Sequence, residues 1–165
     1  MTLGLTLIRP WPTAVIHLGK QTENRTWKPP AYLLGQDIYI HAGLTWDHLA
    51  VDFIELAVGK RPQTGDCPLG VIVGVVRLAG ILQKLDIGGY TWKPAPGVSS
   101  KWLRHIARTS PWFVGPVGWV FDNVRPLSKP VACTGAQKLW TVPDEVEHQV
   151  RRQLGRMEEG EVEHG

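Results

Sequence analysis

Residues 20–27, Lys-Gln-Thr-Glu-Asn-Arg-Thr-Trp, set an amine, a carboxylate and a guanidinium close together beside a large aromatic. A lysine partly buried in a cleft can lose its proton and act as base or nucleophile, which makes Lys20 a candidate. Glu23 can accept from an exocyclic amine or a ring N–H, while Lys20 and Arg25 can meet a phosphate or a base carbonyl. Thr22 adds a hydroxyl. Trp11, Trp27 and Trp119 supply flat faces on which a base can stack. The competing reading is a plain Glu23–Arg25 salt bridge on a solvated face.

The elements around this cluster follow from spacing. Pro12 suits the first turn of a short helix whose apolar stripe is Trp11, Val15 and Leu18. Gly19 can end that helix in a left-handed conformation. A polar strand follows. Strict alternation puts Lys20, Thr22 and Asn24 on one face, and Gln21, Glu23, Arg25 and Trp27 on the other. A second strand, Asp37 to His41, comes after Lys28-Pro29-Pro30.

The rest of the chain reads as strands interspersed with short helices. TLGLTLI at 2–8 puts Leu3, Leu5 and Leu7 on one face. Thr45 is the expected cap of a helix over Trp46–Val58, with Leu49, Phe53, Leu56 and Ala57 buried and Gly59 at its end. Residues 70–82 read as a long strand, bent or exposed at Arg77. Residues 83–100 read as an irregular loop carrying Tyr90, Trp92 and Lys93. Ser99 or Ser100 caps a helix to Arg108, on which Lys101, Arg104 and Arg108 share one face as candidate phosphate contacts. A strand over 117–124 leads to a turn framed by Pro126 and Pro130, then to short closing strands around Gly135. Pro143 opens a last helix that ends at Gly155, so residues 1–155 form one domain and 156–165 a disordered acidic tail. These elements do not alternate as regular βαβ units. They predict an α+β fold, a small mixed or antiparallel β-barrel with helices packed on its outside.

Composition narrows the chemistry. The chain has 165 residues and a net charge of +3. All 18 Lys and Arg lie within residues 1–156, against 11 of the 15 Asp and Glu, so this body carries +7. A basic body favours polyanions. Cys67 and Cys133 form no CxxC pair, and the six His are scattered. No zinc site, metal or cofactor is therefore expected. There is no G-x-S-x-G elbow and no phosphate loop, which argues against a serine hydrolase or an NTPase. The start, MTLGLTLIRP, lacks a basic leader, and the longest apolar run is too short for a bilayer, so a cytoplasmic protein with no membrane partner is expected.

Trp11 in a PW pair, then Gly19-Lys20-x-x-Glu23-x-Arg25-x-Trp27, then Ile38-x-Ile40-His41-Ala42-Gly43, resembles the signature of the ASCH domain family. Gly70 to Gly74, Gly118 to Phe121, Pro130-Val131, Gly135 and Leu139-Trp140 continue the match, which spans about residues 3 to 143. The resemblance implies a PUA-like β-barrel and a partner that is RNA, another nucleic acid or a modified nucleoside. The function it implies is recognition of that partner through a barrel-side pocket centred on Lys20, Glu23 and Arg25. Two alternatives come with the family. Some small bacterial ASCH proteins are amidohydrolases acting on N4-acetylcytidine through a Lys, a Thr three residues later and a distant Glu. Lys20 matches the first, but Glu23 holds the Thr position and no Glu lies between Glu55 and Glu145. Others are ribonucleases, for which Glu23 or His41 would be the base beside Lys20 and Arg25. If the protein is an enzyme, Lys20 and Glu23 are its catalytic pair. An ASCH domain also occurs in a transcriptional coactivator, which makes a protein-interaction module the third reading. The spacing argument predicts that losing Lys20 or Glu23 impairs binding far more than folding.

Overall fold

Leu3, Leu5 and Leu7 do turn to one side of a strand, β1 (Leu3–Arg9), and start the main core. The computed structural model describes residues 1–163 and continues as α1 (Trp11–His17), β2 (Thr22–Arg25), β3 (Asp37–Trp46) and α2 (His48–Val58). Next come β4 (Val71–Lys84), β5 (Tyr90–Pro94), α3 (Ser100–Thr109), β6 (Val117–Ala132), β7 (Leu139–Thr141) and α4 (Asp144–Glu163). One sheet holds all seven strands in the order β2-β6-β4-β3-β1-β7, with β5 added to β4. Among the described residues only β1 and β3 run parallel. The sheet is curled into a half-barrel with four helices around it, an α+β fold.

β4 is buried on both faces, which explains its nearly unbroken apolar run. One side joins Val76 and Leu78 to Ile38, Ile40, Trp119 and Phe121. The other packs Ile72 and Val75 with Val142 and Val150. The β4–β6 register shifts near Gly74, Arg77 and Gly80, and such bulges bend a ladder. Arg77 sits at one of them and donates to the Asp122 carboxylate from Nε and Nη2.

Several boundaries differ from those expected. The cap of α2 is Asp47, not Thr45: its Oδ1 accepts from the amides of Leu49 and Ala50. The buried residues of α2 are accordingly Ala50, Val51 and Ile54, while Leu49 and Leu56 are 80% and 88% exposed. Phe53 and Ala57 of the expected stripe are half-buried against the cluster of Ala14, Ile54 and Trp112, so the buried face of α2 is turned toward α1 and away from Leu49 and Leu56. The expected loop at 83–100 contains β5, which folds back on β4 as a hairpin. The expected turn at Pro126 and Pro130 lies inside one continuous β6, where the register breaks between Ile72 and Gly74. A break of this kind spares proline the ladder bond it cannot donate. Helix α4 does not stop at Gly155 but continues to Glu163. Residues 156–163 of the expected disordered tail are therefore helical, and 164–165 lie outside the described residues. Among the described residues no helix is long and apolar enough to cross a membrane.

Candidate nucleic-acid site

The turn after α1 builds the charged cluster. Pro12 lies in the first turn of the helix, and Gly19, at φ +74°, takes the left-handed conformation that reverses the chain. The Lys20 amide then donates to the Ala14 carbonyl at 3.1 Å, which points the side chain inward. Lys20 is only 3% exposed. Its Nζ donates to the Thr22 carbonyl at 2.6 Å and to Glu23 Oε2 at 2.8 Å. It also sits 5.0 Å from the centre of the Trp11 ring. A buried ammonium needs such compensation, because desolvation otherwise outweighs the attraction of one partner.

Strand β2 pairs with β6, and this places Glu23 opposite Trp119 and Arg25 opposite Val117. The other carboxylate oxygen, Glu23 Oε1, lies 3.4 Å from Arg25 Nε. Arg25 Nη2 donates to the Thr6 carbonyl at 3.2 Å. Its Nε is buried without a hydrogen-bond partner. Charges therefore alternate along a line from Lys20 through Glu23 to Arg25. The nearby Arg9 differs: its guanidinium is committed to the carbonyls of Gly43, Leu44 and Cys67.

Arg25 forms part of the wall of a cleft of about 990 Å³. The floor and sides come from β1, β3 and the segment 132–138. Among its lining residues the charged side chains are Arg25 and Lys138, with no Asp or Glu. His41 also lines it, held at both ring nitrogens: Nε2 is 2.8 Å from the Cys133 carbonyl and Nδ1 is 3.1 Å from Thr6 Oγ1. A carbonyl only accepts, so Nε2 carries the proton. In the neutral ring Nδ1 then accepts from the Thr6 hydroxyl, which in turn accepts from Trp140 Nε1 at 3.0 Å. Burial pushes the His41 pKa below its ordinary value, and only the hydrogen bond to Cys133 opposes this. Gly135 lies directly over this ring, where a Cβ would collide with His41 Nδ1. Burial raises the pKa of the Cys133 thiol.

No protein-family model and no curated protein matches the sequence. The structure is similar to that of ASCH from Zymomonas mobilis, with 14% sequence identity, 92% of this chain and 94% of that chain covered, and a TM-score of 0.50. A tyrosine-to-phenylalanine mutant of that protein matches at 14% identity, with 92% and 96% covered and a TM-score of 0.50.

The chain has an ASCH-like fold.

Within this ASCH-like fold the sequence candidates separate into layers. Arg25 and His41 line the cleft. Lys20 and Glu23 stand behind Arg25 and line none of it. The expected alternation is overturned at Lys20, which shares the side of Glu23. It precedes the first residue of β2, so the period of two does not reach it. Thr22 is fully buried, its hydroxyl without a partner. Asn24 holds the 112–115 loop by donating to the Trp112 carbonyl and accepting from the amides of Val114 and Gly115.

The tryptophans mostly build the protein. Trp119 has no exposed surface and donates Nε1 to the Trp27 carbonyl, so it is a core residue and offers no face to a base. Trp27 packs edge-on against it at 4.8 Å. Trp11 covers Lys20 and meets Phe53 at 5.8 Å. Lys101, Arg104 and Arg108 line no part of the cleft. Thr6, Lys138 and the backbone of 132–138 do line it, and sequence reasoning missed their role. The single local signal was Gly135 ahead of Leu139-Trp140. Among the described residues no group of His, Cys, Asp and Glu is clustered to hold a metal ion.

Proposed function

We propose that the protein recognises RNA, or a modified base or nucleoside, by admitting one nucleotide to the cleft beside Arg25. The observation that carries this reading is a large cleft with two cations and no carboxylate among its lining residues. It receives anionic or carbonyl-rich ligands without charge repulsion. Arg25 offers a planar fork that suits a phosphate or a base edge. Glu23 orients that fork, and Lys20 balances Glu23 from behind. Ile8, Leu44 and Ala132 supply apolar surface for a base.

Binding is favoured over hydrolysis at this site. Lys20 Nζ is tied to the Thr22 carbonyl, the Glu23 carboxylate and the Trp11 ring and lines no part of the cleft, which leaves it poorly placed to be a base. His41 has both nitrogens engaged. The test is a panel of modified nucleosides, nucleotides and RNA oligonucleotides, followed for binding and for product, with wild type and Arg25→Gln. Binding without product, weakened at least tenfold in Arg25→Gln at unchanged Tm, is the expected result. Equal binding by Arg25→Gln refutes the assignment, and product formation restores the hydrolase reading.

A further inference from the structure

Helix α3 buries Leu103 and Ile106 against Leu82, Phe113 and Val120. Lys101, Arg104 and Arg108 lie on the opposite side at helical spacing, and all three are exposed. Over their span the helix rises about 10 Å, long enough to follow successive phosphates. The hairpin strand β5 packs beside α3 and brings Tyr90 and Trp92 to the same surface, their rings 6.1 Å apart. The Arg104 guanidinium lies over the Trp92 ring at 5.2 Å from its centre, and Trp92 remains 39% exposed. No Asp or Glu occurs anywhere from residue 87 to residue 121. Among the described residues none of the three cations takes part in a salt bridge.

We infer that the α3–β5 surface is a second contact for single-stranded nucleic acid, separate from the cleft: Lys101, Arg104 and Arg108 follow the phosphates, and a base stacks on Trp92. Each element has a physical reason. A solvated basic face needs no aromatic, and Trp92 keeps 39% of its surface open beside these cations. An exposed Trp under an Arg is a stacking platform already paired with a cation. The apolar side of α3 is consumed by the core, so the helix has nothing left to insert into a lipid surface. This inference does not depend on what the cleft binds.

The test titrates a short labelled oligouridine and the matching oligothymidine against the full chain over a range of salt. The variants are Lys101→Gln/Arg104→Gln/Arg108→Gln, Trp92→Ala and Arg25→Gln, each with its Tm recorded. For single strands log affinity falls with log salt by about 0.7 per phosphate contact, so the triple variant should flatten the slope by about 2. Trp92→Ala should weaken binding about tenfold at fixed salt, within the range for one lost stack. Arg25→Gln should leave the contribution of α3 to the slope in place, even if every nucleoside fails to enter the cleft. A wild type that ignores both oligonucleotides at low salt overturns the inference. So does a triple variant with unchanged slope, or a Trp92→Ala variant with unchanged affinity and Tm. Capture by phosphatidylserine vesicles through the same residues, without oligonucleotide binding, overturns it in favour of a membrane surface.

Discussion

Glu23→Ala should destabilise this protein more than it disturbs any surface property, the reverse of the expectation from spacing alone. Glu23 is 8% exposed and Lys20 only 3%. The carboxylate holds the Lys20 ammonium at 2.8 Å and lies 3.4 Å from Arg25 Nε. Removing it leaves a buried ammonium with one carbonyl and one aromatic ring. An exposed pair would lose about 0–1 kcal/mol. A buried charge deprived of its partner loses about 3–5 kcal/mol. For a chain of this size that is a fall in Tm of roughly 6–20 °C. Urea denaturation with a constant m-value measures it. Lys20→Met/Glu23→Ala should lose less than Glu23→Ala alone, because the stranded charge is gone. A loss below about 1 kcal/mol for Glu23→Ala, or a double variant less stable than the single one, would refute the buried network.

Stability should also depend on His41. Its pKa is lowered in the fold from 6.5, so the folded site refuses a proton that the unfolded chain accepts. The contribution is present above pH 6.5 and is lost as the pH falls below that through the lowered folded value, and His41→Gln should flatten that slope in thermal melts. Asp47→Ala should cost about 1 kcal/mol through the amides of Leu49 and Ala50, while Thr45→Ala should cost almost nothing. Equal costs by urea denaturation would count against Asp47 as the cap.

Local rules recovered local facts. The apolar stripe after Pro12, the turn at Gly19, the alternation of Leu3, Leu5 and Leu7 and the bend at Arg77 were all legible, because each depends on neighbours within a few positions. The same rules put Glu23 and Arg25 on one face, where they do meet, but put Lys20 on the other, although it bonds Glu23. Which of them faces the cleft was not legible. The wall that makes Arg25 the outward member comes from β1, β3 and the 132–138 segment. Its bonds join residues far apart in the chain: Thr6 to Trp140, 134 positions away, and His41 to Cys133, 92 positions away. Trp119 was misjudged for the same reason, since only the packing of Trp27 and the core around it shows that no face remains. The sequence by itself determined the chemistry, a basic body and a lysine–glutamate–arginine cluster on a polar strand. The tertiary structure decided which charge is buried, which is offered and where the space lies, because burial depends on chain segments whose approach no local period records.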